Sequence, residues 1–410
     1  MTADPQTTPV DVVIFGGGVA GLWLLARLRS LGYQVVLLES QALGAGQTRY
    51  AQGIIHGGTK YALTGKLTGS SEAIAEMPNI WRACLDGDGE LDLRKVKLLS
   101  SHQFMWSTES LTSRMAGFFA SRLMRGRTRA VKENERPEIL RNPAFHGHVY
   151  RLEEPVLDTA SLVKALADPH RKAIFKLKDL NTLQFNKSDR GWQVLLGNSS
   201  DGTDNSAAQF DTRRLVFAAG KGNASLLEKC GRSSPAMQLR PLQMVMLRGD
   251  REHPLPGALY AHCLGASANP RITITTHYDS EGHIVWYLGG QIAEEGVTRD
   301  HADQVAAAKK EMGELFPWLD LTSMQWGTLP IDRAEPKMPD GSRPDNVFAE
   351  EQDDIITAWP TKLALSPRLA KVIIEKLEQE NVQPSTVSEL PTLPHPGYAA
   401  LPWQEEERWS

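Results

Sequence analysis

Three glycines and a glutamate near the start of the chain have the types and spacing that bind a dinucleotide. Gly16, Gly18 and Gly21 form a Gly-x-Gly-x-x-Gly pattern, and Glu39 follows roughly 20 residues later. In such a pattern the glycines permit a tight turn, close approach of the backbone to a pyrophosphate, and close packing of helix on strand. A carboxylate at the Glu39 position accepts hydrogen bonds from ribose hydroxyls and repels a 2′-phosphate. The expected ligand is FAD or NAD, and not NADP.

The elements around these residues are those that a dinucleotide site requires. Residues 10–15 are mostly β-branched and apolar, which predicts a buried strand of a parallel sheet. Residues 19–31 have apolar side chains at helical spacing, and the free N–H groups at the start of this helix would face the phosphates. Residues 34–39 predict a second strand. The alternative is a tight turn in an unrelated α/β domain.

A glycine-rich loop follows the second strand. Five glycines within residues 44–58 indicate backbone that is pressed against a ligand or strained into turns, and not a flexible linker. The segment Gly-Gln-Thr-x-x-x-x-Gly-Ile-Ile-His-Gly-Gly (46–58), with the fingerprint and Glu39, resembles the flavoprotein family of D-amino-acid oxidase, glycine oxidase, sarcosine oxidase and glycerol-3-phosphate dehydrogenase. The resemblance implies FAD as the cofactor, with this loop running under the pyrophosphate and past the isoalloxazine ring.

The resemblance also implies cofactor contacts later in the chain. Residues 215–220 resemble the family's second FAD strand, and residues 359–363 (Trp-Pro-Thr-Lys-Leu) stand where relatives have a glycine-rich turn. The final helix, predicted at 367–380, would direct its N-terminus at the flavin N1 and O2 edge. The predicted cofactor-binding residues are Gly16, Gly18, Val19, Ala20, Gly21, Glu39, Ser40, Gly46, Gln47, Thr48, Gln52, Gly53, Ile54, Ala219, Gly220, Pro360, Thr361, Lys362 and Leu363.

The composition limits the class of protein. The chain has 410 residues, 41% of them hydrophobic, which is enough for a large core and two domains. Its net charge of −4 argues against nucleic-acid binding. The three cysteines and the histidines have no metal spacing, and no signal or membrane span is recognisable, so a cytoplasmic protein without metal is expected. Aromatic and basic residues in 118–132 favour either peripheral contact with the inner face of the membrane or a solvated helix.

The predicted fold class is α/β. It combines a Rossmann-like FAD-binding domain with a parallel sheet and a second, substrate domain built on a mixed, largely antiparallel sheet with helices. The FAD-binding domain is predicted to be discontinuous, comprising residues 1–95, 150–235 and 327–382. The substrate domain comprises residues 96–149 and 236–326. Residues 383–410, which contain five prolines, are predicted to be an extended tail, either wrapped over the surface or mobile.

Periodicity predicts the remaining elements. Helices are expected at residues 67–85, 159–167, with Asp158 as N-cap, 224–229 and 301–315. Strands are expected at residues 96–106, 242–247, 271–277, 283–288 and 354–358. Residues 173–177, 180–185 and 192–196 together predict a β-meander.

Two residues are the candidates for chemistry on a substrate. Arg333 takes the position of the family's substrate arginine, although relatives have Arg-Pro and this chain has Arg-Ala-Glu-Pro. A guanidinium binds a carboxylate or phosphate through two hydrogen bonds, and the alternatives are a surface arginine or a pair with Glu335. His56 is the candidate acid or base, because an imidazole exchanges protons near neutral pH. Its alternative is a histidine bonded to backbone. Weaker candidates for the substrate cavity are Lys60, Tyr61 and Tyr287.

These residues predict an FAD-dependent oxidoreductase with a small anionic substrate. The favoured reaction removes a hydride from the CH–NH carbon of an amine or amino acid to flavin N5, with oxygen or a quinone as electron acceptor. The alternative reaction oxidises the CH–OH carbon of a 2-hydroxy acid or polyol phosphate, with His56 as base and a quinone as acceptor. A flavin-binding protein without turnover is a third hypothesis. An NAD-dependent dehydrogenase is disfavoured because it needs no second glycine-rich segment.

Overall fold

The computed structural model describes residues 7–58, 69–108, 128–197, 208–265, 269–342, 344–386 and 389–409. The predicted substrate residues Lys60 and Tyr61 lie outside these ranges, as does the predicted membrane segment 118–132 up to residue 127. None of the helices in the described part of the chain combines the length and the apolar composition that a membrane span requires.

Short strands and a smaller number of helices make up the described chain. The strands are β1 (Thr7–Phe15), β2 (Val35–Glu39), β3 (Leu98–Ser100), β4 (Gln103–Trp106), β5 (Thr128–Ala130), β6 (Val149–Leu152), β7 (Val156–Leu157), β8 (Ile174–Lys176), β9 (Leu183–Ser188), β10 (Gly191–Leu196), β11 (Ala208–Phe217), β12 (Met237–Arg248), β13 (Ala261–Cys263), β14 (Ile272–Tyr278), β15 (Ile284–Gly289), β16 (Gln325–Pro336), β17 (Phe348–Gln352) and β18 (Ile355–Trp359). The helices are α1 (Val19–Ser30), α2 (Gly69–Asp86), α3 (Thr159–Ala167), α4 (Asn223–Lys229), α5 (Gln291–Glu295), α6 (His301–Leu315) and α7 (Ser366–Gln379).

The first sheet has a parallel centre. Its order is β17-β18-β11-β1-β2-β8, in which only β17 is antiparallel to its neighbour, and the β9–β10 hairpin pairs with β11. Phe15 at the end of β1 lies opposite Phe217 of β11 and Leu38 of β2. The carboxyl ends of these three strands therefore meet beside the Gly16 turn, where open parallel sheets bind their ligands.

The second sheet is largely antiparallel. Its order is β16-β12-β15-β14-β13-β4-β6-β5, and only the β13–β4 pair is parallel. Helix α6 covers it through Val305, Ala308 and Met312, which share a buried core with Trp286 and Trp326. With the first sheet, this arrangement confirms the predicted fold class. β16 pairs along its length with β12, although the predicted domain boundary assigns residues from 327 onward to the FAD-binding domain.

Helices cover one face of the first sheet, and the β9–β10 hairpin lies against the other. Side chains of α1, α2, α3 and α7 share a buried core with β1 and β2. Asp158 caps α3 as predicted, with its carboxylate accepting from the N–H of Ser161 at 2.7 Å. These packed helices fix the start of α1 relative to the strand ends.

Two strand predictions were wrong. The predicted meander is instead a parallel edge strand, β8, paired with β2, and a separate hairpin, β9–β10, with a 3-10 turn at Leu180–Thr182 between them. The single strand predicted at 96–106 is two strands, because β3 pairs with β7 while β4 joins the second sheet. In both cases the apolar segments were located correctly, but an apolar segment does not specify which strand it will pair with.

The segment after α7 has an extended backbone and lies along both sheets. Lys176 donates its N–H to Pro394 at 2.7 Å, and Leu43 donates to Gly397 at 2.8 Å. The segment ends with Trp403 buried against the second sheet, where its ring lies 4.2 Å from that of His277. The tail therefore crosses both sheets.

Candidate active site

The turn between β1 and α1 is built for close approach. A Cβ on Gly21 would lie only 2.0 Å from the carbonyl oxygen of Gly16, so only glycine lets α1 start this close to the turn. Gly16 itself has a φ of +111° and lies against the backbone of Ala218 and Ala219. The N–H of Val19, in the first turn of α1, donates to Oγ1 of Thr48 at 3.1 Å. The start of α1 is thus bordered by Thr48 and by the end of β11.

Glu39 lies at the same turn. Its carboxylate accepts from the N–H of Gly17 at 2.5 Å and from the N–H of Gln41 at 2.6 Å. The carbonyl of Ser40 accepts from the ammonium of Lys176 at 2.8 Å. The Glu39 carboxylate therefore lies beside the glycine turn, where a ribose hydroxyl would compete with these N–H groups for its oxygen atoms.

The glycine-rich loop runs from this turn toward the second sheet. Gly44 donates to Gly17 at 2.9 Å, and Gly46 faces open space. A Cβ on Gly220 would lie 3.3 Å from Oε1 of Gln47, so the loop also borders the turn after β11. Gly53, next to the buried Ile54, has a φ of +75°. A Cβ added at this position would lie 2.0 Å from the carbonyl oxygen of Leu157. The loop backbone is held closely on both sides.

Residues 359–363, the last of the predicted cofactor segments, are joined to residues 215–220. The indole N–H of Trp359 donates to Gly220 at 3.1 Å. The buried Asn223 accepts from the N–H of Ala219 at 2.8 Å and donates to Ala358 at 3.1 Å, which ties the ends of β11 and β18 together. Thr361 has a φ of +61°. The turn formed by Pro360, Thr361, Lys362 and Leu363 therefore contains a backbone conformation that is usually adopted by glycine.

These segments fit a dinucleotide. The start of α1 offers backbone N–H groups, Glu39 offers a carboxylate for ribose hydroxyls, and the loops around Gly46 and Gly220 leave the backbone accessible. The sequence separates these pieces widely, and the fold brings them to one edge of the first sheet.

Arg333 lies on β16, directly opposite Arg240 of β12, and its Nε donates to the Arg240 carbonyl at 3.4 Å. The preceding residue, Asp332, pairs with Lys221 at 3.0 Å, so this part of β16 borders the turn after β11. Glu335 is buried and accepts from both Gln238 and Arg240 at 2.8 Å. Arg240 therefore forms the ion pair with Glu335 that was one alternative for Arg333. Arg333 is half-buried, on a strand that contacts the turn after β11, which is predicted to bind the cofactor.

Tyr287, a predicted substrate residue, is fully buried. Its hydroxyl donates to the carbonyl of Tyr50 at 3.1 Å, and burial raises its pKa. Its own carbonyl accepts from Nε2 of Gln52 at 2.9 Å. In this arrangement Tyr287 holds the glycine-rich loop against the second sheet.

His56 belongs to a cluster of three side chains. Its Nδ1 lies 3.5 Å from Oε2 of Glu154, and its ring stacks at 5.9 Å on that of His262. Burial alone would raise the pKa of Glu154, but the hydrogen bond and charge of His56, the N–H of Gly57 and the charge of His262 hold that pKa below its ordinary value. The three ligand atoms lie within 4.8 Å of one another, so the cluster could also hold a metal ion.

Sequence reasoning missed Glu154, His262 and Asn223. Glu154 is one of two adjacent glutamates, and nothing in the pattern distinguishes the buried one from the exposed one. His262 lies in a short strand without metal spacing. Asn223 had a usable signal, because an asparagine between a glycine turn and a predicted helix commonly bonds to nearby backbone. In the structure it is the first residue of α4, and its side chain accepts from the N–H of Ala219.

Comparison with known proteins identifies the family. The family model for FAD dependent oxidoreductases matches residues 11–356. A probable FAD-dependent oxidoreductase of Pseudomonas aeruginosa, PA4991, is 47% identical over 401 residues, which cover 98% of this chain and 99% of that protein. Its crystal structure superposes with a TM-score of 0.82 at 43% identity, covering 98% of this chain and 99% of that one.

More distant solved structures share the fold. Glycine oxidase from Geobacillus kaustophilus has a TM-score of 0.63 at 16% identity, covering 94% of this chain and 97% of that one. The FAD-bound L-α-glycerophosphate oxidase from Mycoplasma pneumoniae has a TM-score of 0.61 at 14% identity, covering 96% and 99%. The chain is therefore a member of the FAD-dependent oxidoreductase family, with FAD as its cofactor.

Proposed function

We propose that this oxidoreductase takes a hydride from a carbon bearing an amine, in a small amine or amino acid whose acidic group is bound by Arg333. When bound, FAD supplies the hydride acceptor, the N5 atom of its ring. The observation that carries the proposal is the position of Arg333, half-buried on β16, a strand that contacts the turn after β11 at residues 220–222. A guanidinium there would orient a carboxylate through two parallel hydrogen bonds.

A second candidate is oxidation of a carbon bearing a hydroxyl, in a 2-hydroxy acid or polyol phosphate. The contact between His56 and the buried Glu154 favours it, because a hydroxyl must lose its proton as the hydride leaves. An amine can enter the site already neutral. A protonated amine would need the same base, so the contact is compatible with both candidates.

Matched substrate pairs separate the two candidates. Alanine with lactate, and glycine with glycolate, share the carboxylate and differ in the amine or hydroxyl, while glycerol 3-phosphate tests a phosphate. The FAD-loaded protein is mixed anaerobically with each compound, and bleaching of the flavin absorbance is followed. Bleaching by the amino member supports the amine proposal, and bleaching by the hydroxy member supports the second candidate.

Two controls complete the experiment. Dithionite must bleach the flavin in every sample, which shows that the flavin is reducible. If dithionite bleaches it and a broad panel of amines, amino acids and hydroxy acids does not, the proposal is wrong and flavin binding without turnover is favoured. Peroxide formed in air with an active substrate would indicate oxygen as the acceptor, and its absence would favour a quinone.

A further inference from the structure

His56 faces a carboxylate that is buried and held from two other sides. The side chain of Glu154 is 5% exposed and that of His56 is 35% exposed. Oε1 of Glu154 accepts from the N–H of Gly57 at 2.8 Å, and Oε2 accepts from Nε2 of Gln103 at 3.3 Å. These donors fix the carboxylate in one orientation relative to the imidazole.

We propose that Glu154 is a positioning residue for His56: it accepts the Nδ1–H of the imidazole and so leaves Nε2 as the proton acceptor. An ionised carboxylate can only accept hydrogen bonds, so the ring nitrogen that faces it must carry the proton. The other nitrogen is then bare. That it receives a proton from substrate rests on the proposed function, but the position of the ring proton does not.

The charges around His56 suit this role. In the described part of the chain, Glu154 and His262 are titratable groups that lie against the ring, and Tyr260 packs against the neighbouring Ile54. Nδ1 of His262 forms a hydrogen bond of 2.8 Å with the hydroxyl of Thr273. When His56 takes up a proton, the buried carboxylate of Glu154 supplies the compensating negative charge.

Replacement of Glu154 by glutamine is the test variant, because it keeps the shape and replaces the acceptor that faces His56 with a donor. The amide oxygen can still accept from Gly57, while the NH₂ group faces His56 and Gln103. Oε1 of Gln103 is buried and has no hydrogen-bond partner, so rotation of that amide would provide an acceptor. The NH₂ group would donate to Nδ1 of His56 and move the ring proton to Nε2.

Glu153→Gln is the matched control. It is the same substitution one residue earlier, at a side chain that is 43% exposed and paired with Arg151 at 2.8 Å. Because this carboxylate lies on the surface, its loss should change neither the tautomer of His56 nor turnover.

¹⁵N NMR of histidine-labelled, FAD-loaded protein, at a pH at which the ring is neutral, shows which nitrogen of His56 carries the proton. The His56 signals are assigned by their loss in the His56→Asn variant. The proposal predicts Nδ1–H in the wild type and in Glu153→Gln, and Nε2–H in Glu154→Gln. A wild-type Nε2–H tautomer, or no change in Glu154→Gln, would overturn it. If Glu154→Gln does not fold, the wild-type tautomer alone decides.

Kinetics then test the link to turnover, with any compound of the panel that bleaches the flavin. Glu154→Gln should slow flavin reduction about 100-fold or more and move the acid limb of the kcat/KM profile to lower pH. Added to His56→Asn, it should cause no further loss, since it acts only through His56. An additive loss contradicts the proposal. So does stoichiometric divalent metal in the purified protein, which would make the cluster a metal site. The NMR result needs no substrate, so its failure is distinct from failure of the proposed function.

Discussion

The side-chain amide of Gln52 donates to the main-chain carbonyl of Tyr287 at 2.9 Å and so joins the glycine-rich loop to the second sheet. The same nitrogen lies 3.2 Å from Oγ1 of Thr275 and 3.3 Å from the carbonyl of Thr273. Three strand-bound oxygens therefore converge on one loop side chain. Gln52 connects the part of the chain predicted to line the flavin with the sheet that faces it.

We expect Gln52→Ala to lower the free energy of unfolding by about 1–3 kcal/mol, because buried acceptors lose their donor. Urea unfolding of the FAD-free protein measures this loss. Gln47→Ala is the control: Gln47 is exposed beside Gly220, so its loss should change FAD-free stability by less than ~0.5 kcal/mol. If Gln47→Ala weakens FAD retention without changing stability, the two glutamines have separate roles. Equal destabilisation by both variants would contradict this.

Gly53→Ala should be strongly destabilising, by ~3 kcal/mol or more. The new Cβ would meet the carbonyl of Leu157 at 2.0 Å in a backbone conformation with a φ of +75°, and the hydrogen bond from the Leu157 N–H to Gly53, 2.9 Å long, would be lost. Thermal unfolding measures the effect. Gly313→Ala, on α6 with open space around its Cβ, should instead stabilise by up to ~1 kcal/mol. A mild effect at Gly53 would mean that the loop is not held as described.

Local patterns predicted most of the helices and several of the strands. The start of α1, the Asp158 cap of α3 and the bounds of α6 follow from capping residues and periodicity, which act over a few residues. The glycine fingerprint and Glu39 also lie in one short stretch. Their chemistry could be predicted because their spacing alone determines their relative positions.

Pairings between distant segments could not be predicted. The partner of His56 is a glutamate between β6 and β7, and the partner of β2 is β8, because an apolar run shows that a segment is buried but not what it packs against. The missing glycines at residues 360–362 suggested an altered turn. The structure keeps the turn through the positive φ of Thr361, a conformation that β-branched residues seldom adopt and that sequence therefore does not reveal.

Arg333→Lys should raise KM for an anionic substrate about 10-fold or more with little change in stability, because lysine keeps the charge but not the planar two-donor geometry. Steady-state kinetics with a compound that bleaches the flavin measures it. Arg240→Lys, the same substitution on the facing residue, should lower stability instead, because Arg240 pairs at 2.8 Å with the buried Glu335. An unchanged KM in Arg333→Lys would contradict binding of the anion by Arg333, and a KM effect confined to Arg240→Lys would assign the anion to Arg240.

His277 should make the fold sensitive to acid. It is fully buried, its Nε2 lies 3.0 Å from Oγ1 of Thr275, and its ring stacks on Trp403 of the tail. Burial lowers the pKa of His277 from its ordinary 6.5 to about 3. Between these pH values the imidazole of His277 binds a proton in the unfolded chain but not in the folded protein. The contribution of His277 to the free energy of unfolding is therefore fully present above pH 6.5 and is lost as the pH falls toward 3.

The share of His277 in this loss can be isolated. From pH 7.5 to 5.5 it should amount to about 1.4 kcal/mol, to which His102 and His170, whose pKa values burial also lowers, add with the same sign. His277→Phe keeps a ring against Trp403 and removes the titration, so its unfolding free energy should fall by about 1.4 kcal/mol less than that of the wild type. Urea midpoints at the two pH values measure the difference. His146→Phe, at an exposed side chain, is the control and should retain the wild-type dependence. If His277→Phe retained it as well, the imidazole would be taking up its proton inside the folded protein, and the docking of Trp403 would not depend on a neutral ring.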